Sequence, residues 1–202
     1  MAYSDFKLNE LLKTFNLTLR EKSDIFASVS SSTCSEYLEF TLDQNVELAV
    51  AINTEKARSE LIIAPILLEV RRILQNQISL FSGVDFTVDS DRGLNGICDF
   101  VISQSSEQLL ILAPVITIVE AKNENLKSGF AQCIAEMVAA QIFNKQENNP
   151  IEKIYGVVTI GTIWRFLELD GKTISIDLSE HYISDINQIL GILVYMARSL
   201  KF

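Results

Sequence analysis

Histidine is almost missing from this chain: His181 is the only one in 202 residues. That scarcity removes Ser-His-Asp and Cys-His catalysis, and any metal centre built from several imidazoles. Flanked by Ser179-Glu180 and Tyr182, His181 reads as an ordinary surface or helix-start residue. Cysteine is nearly as rare. Cys34, Cys98 and Cys133 are odd in number and far apart, which argues against a disulfide framework and a Cys-based zinc site. Three prolines (Pro65, Pro114, Pro150) fit a helix-rich fold. No apolar run reaches the ~20 residues of a membrane span. The amphipathic start, Met1 to Lys7, lacks the basic and apolar regions of a secretory signal, so a cytoplasmic location is expected. Positive charge is also short. Lys and Arg number 17 against 26 Asp and Glu, a net charge of −9. That balance weighs against a nonspecific nucleic-acid binder and leaves room only for a local basic groove.

What is present is a globular composition, 48% hydrophobic and 21% charged, in a length that suits one domain with a sizeable core. There is no internal repeat and no low-complexity tract. Residues 4–16 predict a short amphipathic helix, capped by Ser4 or Asp5, with Phe6, Leu8, Leu11, Leu12 and Phe15 as its stripe. Residues 17–34 read as irregular. Helical spacing returns over 35–53 and again over 54–77, where Pro65 should kink the helix or mark a junction.

The period then changes. Gly83–Val88 and Gly96–Ile102 read as strands joined by a polar turn at Asp89–Gly93, and residues 109–112 as a strand or loop. The apolar, β-branched run 115–121 predicts a buried strand, and 128–143 a helix with Ser128 as candidate cap. Strands follow at 154–160, 164–169 and 174–177, the last two joined through Asp170-Gly171, and a helix closes the chain over 184–199. The order predicts an α/β domain with a central mixed β-sheet flanked by helices.

One strand carries chemistry. The run Val115-Ile116-Thr117-Ile118-Val119 ends in Glu120-Ala121-Lys122. Alternation places Glu120 and Lys122 on one face and Ala121 on the other. A chain of this composition should hold roughly one Glu-x-Lys by chance. Here the one occurrence sits at the end of the most strand-like segment, where an unpartnered charge would be costly. If strand 96–102 is its neighbour, Asp99 meets Glu120. Two carboxylates suit Mg²⁺ or Mn²⁺, hard cations that prefer oxygen, and the Ala121 carbonyl could add a ligand. Such an ion polarises a phosphoryl oxygen and activates water. Lys122 could position or deprotonate that water and stabilise transition-state charge. Glu60, on the preceding helix, could reach the metal through a water.

These elements, in this order, resemble the PD-(D/E)xK nuclease superfamily with its restriction-endonuclease-like core. The likeness covers about residues 55–170: an acidic helix (Ser59-Glu60), a strand with Asp99, a strand ending in Glu120-Ala121-Lys122, and a helix with Gln132. Gly161-Thr162-Ile163-Trp164-Arg165-Phe166 resembles a hairpin of restriction-enzyme-like proteins. The resemblance implies a metal-dependent endonuclease or exonuclease acting on nucleic acid, DNA rather than RNA, with Gln132 supporting the metal site or contacting phosphate. Cys98 replaces the Pro of the motif, and Asp99 and Glu120 lie 21 positions apart (120 − 99), which requires a longish hairpin or small insertion. Residues 1–54 fall outside the likeness and resemble an N-terminal helical extension packed on the core; residues 55–202 form the nuclease-like domain.

Glu136 shares a helix face with Gln132 and is a second candidate there. Asp85, Asp89 and Asp91 read as strand-edge and turn residues, and Trp164 as core. Arg92, Lys127, Lys145 and Arg165 are candidate phosphate contacts. The alternative function is a non-catalytic module that keeps the fold for protein association or nucleic-acid binding. The acidic balance supports it, and apolar helices at both ends make a homodimer plausible.

Overall fold

The computed structural model describes residues 1–198. Its centre is an eight-stranded mixed sheet in the order β1-β7-β6-β5-β4-β3-β2, with β8 also paired to β6. The strands are β1 (Thr18–Lys22), β2 (Ser79–Asp85), β3 (Ile97–Ser103), β4 (Val115–Ala121), β5 (Lys153–Thr159), β6 (Ile163–Asp170), β7 (Thr173–Asp177) and β8 (His181–Tyr182). Pairs β1–β7 and β4–β5 are parallel and the rest antiparallel. All seven residues of β4 are buried. A strand covered on both faces reads as a continuous apolar run, which is why 115–121 stands out in the sequence.

Helices cover both faces. On one lie α2 (Glu36–Ile52), α4 (Ala64–Ile73) and α6 (Ile186–Arg198), with a core of Leu38, Leu42, Ile66, Leu67, Val70 and Leu193. On the other lie α1 (Leu8–Thr14) and the long α5 (Leu126–Gln146), with Tyr3, Leu11, Phe15, Ile134 and Val138. The expected α/β layering is what the chain adopts. Ser199, the last residue of the predicted closing helix, lies outside the described residues. No helix among the described residues is long and apolar enough to cross a membrane.

Several boundaries move for identifiable reasons. Residues 17–34 are not irregular throughout: Thr18–Lys22 is an edge strand parallel to β7, so residues 1–54 contribute to the sheet itself. Its exposed, charged sequence Thr-Leu-Arg-Glu-Lys hides it from any hydrophobic pattern. Strand β2 begins at Ser79, four residues before the predicted start, and Gly83 inside it takes a positive φ of 61°. Residues 109–112 are loop, α5 starts at Leu126 on an Asn125 cap rather than at Ser128, and His181 sits in β8 against Phe166 rather than at a helix start.

Pro65 does mark a junction. The short helix α3 (Glu55–Arg58) runs through a π-helical turn at Ser59–Ile63 into α4. Proline cannot donate to the carbonyl four residues back, that of Leu61. The Asn45 side-chain amide of α2 donates to that carbonyl instead, at 3.2 Å.

Candidate functional site

Strand β4 emerges from the core at Glu120. Its ladder with β3 ends at Phe100 opposite Val119, and Asp99 and Glu120 are the next residues beyond that pair. Asp99 stands beside Glu120 closely enough that each carboxyl shifts the other's titration. The Ala121 N–H donates to Asp99 Oδ2 at 2.8 Å. In a strand the N–H and C=O of one residue point the same way, so the Ala121 carbonyl also faces the β3 side. The Lys122 N–H continues the parallel ladder to Thr159 O at 2.8 Å. The Lys122 ammonium ion-pairs with Glu120 Oε1, and Glu55 Oε2 lies 3.7 Å away.

Helix α5 closes the site from above. Gly129 is the reason it can come so close: a Cβ there would lie 2.7 Å from Val158 Cγ1, 3.3 Å from Lys122 Cγ and 3.4 Å from Glu120 Cγ. One turn on, Gln132 Nε2 donates to Glu120 Oε2 at 3.0 Å and to Glu136 Oε1 at 3.1 Å. Glu136 is fully buried, and its Oε2 has no hydrogen-bond partner among the described residues. Positions 129, 132 and 136 share one face by helical spacing, and that face meets the acidic end of β4.

The electrostatics follow from counting charges. Four carboxyl groups (Glu55, Asp99, Glu120, Glu136) surround one ammonium. Burial, and then the negative Asp99 beside it, push Glu120 up to about 8. Burial also raises Asp99, against the opposing pull of the Ala121 N–H, and raises Glu136 well above the carboxylate range, with Glu120 adding to the shift. Burial alone would lower Lys122, but Glu120 beside it wins and the ammonium is held charged. The cluster has an excess of acids over cations, a deficit that protons or an added cation would fill.

The sequence expectations divide accordingly. Asp99, Glu120, Lys122 and Gln132 come together, and Glu136 joins them. Glu60 does not: it points to solvent, 60% exposed, and pairs with Lys56 at 2.6 Å. Glu55 is the helix acid that faces Lys122. The two are five residues apart, and at 100° per residue they cannot share a face. The signal for Glu55 is Thr54, whose side chain accepts from Ala57 N and so fixes the helix start. Arg58, also unforeseen, is buried and donates to Ile160 O at 2.8 Å and Asn53 Oδ1 at 3.0 Å. Asn53 in turn holds Glu124, just past Lys122, at 2.9 Å. This chain of contacts ties the end of α2 to the loop leaving the site.

The candidate phosphate contacts are dispersed. Arg92 stacks on Phe15 and Lys145 lies exposed in the last turn of α5. Arg165 donates to Asp177 O and sits over Phe130, and Lys127 is exposed at the start of α5, both lining a groove beside the site with Leu126 and Ile160. Trp164 is core, its Nε1 donating to Gly161 O at 2.8 Å. Asp89 caps a turn at Arg92 N, as expected of a turn residue.

As a cation site, the cluster offers hard oxygen donors: Asp99, Glu120 and a backbone carbonyl. No group of three or more His, Cys, Asp or Glu side chains among the described residues is arranged to hold a metal ion. Mg²⁺ often takes only one or two carboxylates and completes its shell with water and phosphate, so the donor types fit, while Glu60 lies outside the set. No family model matches the chain, and no curated protein or solved structure is significantly similar to it.

Proposed function

We propose that Asp99, Glu120 and Lys122 form the active site of a metal-dependent phosphodiesterase that hydrolyses nucleic acid, DNA in preference to RNA, on a restriction-endonuclease-like core. The observation that carries this reading is the meeting of two carboxyls, half-buried Asp99 and buried Glu120, beside a lysine, at the end of a core strand. Burying acids in excess of the one available cation is costly unless protons or a bound cation balance them.

Asp99 and Glu120, with the Ala121 carbonyl, would hold Mg²⁺ or Mn²⁺. Bound there, the ion would neutralise phosphate charge and lower the pKa of a water. Lys122 reaches the surface with 17% of its side chain exposed, so its charge is available to a non-bridging phosphate oxygen. Gln132 orients Glu120 through its amide and keeps Glu136 tied behind it. Gly83, opposite Asp99 in the β2–β3 register, has open space where a side chain would stand, which leaves the Asp99 end of the row uncovered.

The test is cleavage of plasmid and single-stranded DNA with Mg²⁺ or Mn²⁺, alongside an RNA substrate. Lys122→Ala and Asp99→Ala should each lower the rate by about 10³-fold or more. Cleavage that survived in both variants would remove the site from consideration. The second reading, a non-catalytic module on the same fold, draws on the Lys122–Glu120 ion pair, which already satisfies one carboxylate, and on the net charge of −9. Titration calorimetry separates the two. Mg²⁺ or Mn²⁺ heats that vanish in Asp99→Asn support the enzyme; no heat at millimolar ion supports the module.

A further inference from the structure

Helix α2 is apolar on two opposite sides, where a surface helix needs only one. Its buried side carries Leu38, Leu42 and Ala49. The opposite side should be polar. Instead Phe40, at the solvent pole, is 68% exposed, with Tyr37 at 77% and Leu48 at 52%. With Gln44 between them and Ala51 beyond, these residues form a ridge over 37–51, or roughly 21 Å at 1.5 Å per residue. Singly exposed apolar residues need no explanation, but a ridge of large ones on a single helix does.

A second row runs beside the ridge. Glu36, Asp43 and Glu47 recur at spacings of seven and four, on the Phe40 flank, and Glu39 lies further round. The helix carries no Lys or Arg, and none of these four acids has an ion pair among the described residues. The basic residues on the next helices are engaged elsewhere: Lys56 with Glu60, Arg58 with Asn53 and Ile160, Arg71 with Asn76 and Arg72 with Glu69.

We propose that the outer face of α2 docks a protein partner through an amphipathic helix whose apolar stripe covers Tyr37, Phe40 and Leu48 and whose Lys or Arg flank meets Glu36, Asp43 and Glu47. Charge decides the occupant. A second copy of this chain would bring another α2 without a single cation, and an anionic membrane surface would be repelled. A basic helix covers the ridge and neutralises the acids together, the usual division between an apolar anchor and a charged rim. The proposal is independent of the phosphodiesterase reading, since none of these side chains belongs to that site.

The experiment measures binding of a fluorescent 17-residue Leu–Lys amphipathic peptide to the full chain by anisotropy near physiological salt. The Leu–Glu peptide of the same pattern serves as control. The Leu–Lys peptide should bind and the Leu–Glu peptide should not. Phe40→Ser with Leu48→Ser should weaken binding at least about tenfold, and Asp43→Lys with Glu47→Lys by a similar factor. All four positions are exposed, so the variants should keep the wild-type circular dichroism and melting temperature. Equal binding to the wild type and Phe40→Ser/Leu48→Ser would reduce the effect to nonspecific charge attraction and overturn the proposal. So would no binding at all, or self-association in sedimentation that Phe40→Ser abolishes, which would make the second copy the occupant.

Discussion

Each face of the sheet buries glutamate, and the two faces treat it oppositely. Under α2, α4 and α6 the buried glutamate is Glu69. Its Oε2 accepts from Arg72 at 2.9 Å and its Oε1 from Ser35 N at 3.2 Å, and Arg72, then Ser35, hold its carboxyl below the usual range despite burial. Under α5 the buried acids are Glu120 and Glu136. They share one amide and one ammonium, and both are pushed up. The first arrangement is what a fold does with a carboxylate that must stay charged. The second is under-compensated, and that shortage of positive charge is what the proposed site rests on. A pair of close-packed glycines follows the same division. Gly191 of α6 lies against the backbone of Ser30 and Ser31, whereas Gly129 of α5 lies against the site's own side chains.

The largest effect should come from Gly191→Ala. The new methyl meets backbone that cannot rotate away, and overpacking of that kind costs about 3 kcal/mol in denaturant unfolding. Gly129→Ala should cost less, about 1 kcal/mol, because the gain in helix propensity offsets part of the clash with Val158. Yet it should disturb the site more, weakening divalent-ion binding by calorimetry where Gly191→Ala does not. If the two variants affected ion binding equally, the contrast between the faces would fail.

Glu136→Leu removes a buried acid with an orphaned oxygen, and should leave the fold as stable or raise it by about 1 kcal/mol. Glu69→Leu should do the reverse and destabilise by about 1 kcal/mol, since it strips a partner from the start of α2. Acid sharpens the same contrast. The folded state depresses Glu69, so its contribution is full above the ordinary glutamate range and is lost as pH falls through the lowered folded value. Thermal melts from pH 7 to pH 3 should therefore show a shallower loss of stability in Glu69→Gln than in the wild type. An unchanged slope would show that the Arg72 pairing contributes nothing.

The candidate site was legible on its strands and on the long helix α5, and misjudged on the short helix α3 and its π turn. For Asp99, Glu120 and Lys122, alternation alone fixes the face, so identity and direction could be read together. Gln132 and Glu136 followed from four-residue spacing on a long helix. Glu60 failed because its direction depends on where the helix begins, on a capping threonine and on a π turn before Pro65, none of which the apolar pattern records. Gly129 gave no sign at all: the need for a glycine there exists only once Val158 and Lys122 stand opposite.

The sequence by itself determined the layer architecture, because buried strands and amphipathic helices have different periods that survive in one dimension. It also determined that chemistry, if present, would use oxygen donors and lysine, because histidine and cysteine are too few. Only the tertiary structure decided that Thr18–Lys22 joins the sheet, since an exposed edge strand owes its conformation to the hydrogen bonds of β7 and not to its own side chains. Only the tertiary structure brought Asp99 to Glu120 and set four acids around one ammonium, since charge imbalance in a core is a property of distances that no single segment carries.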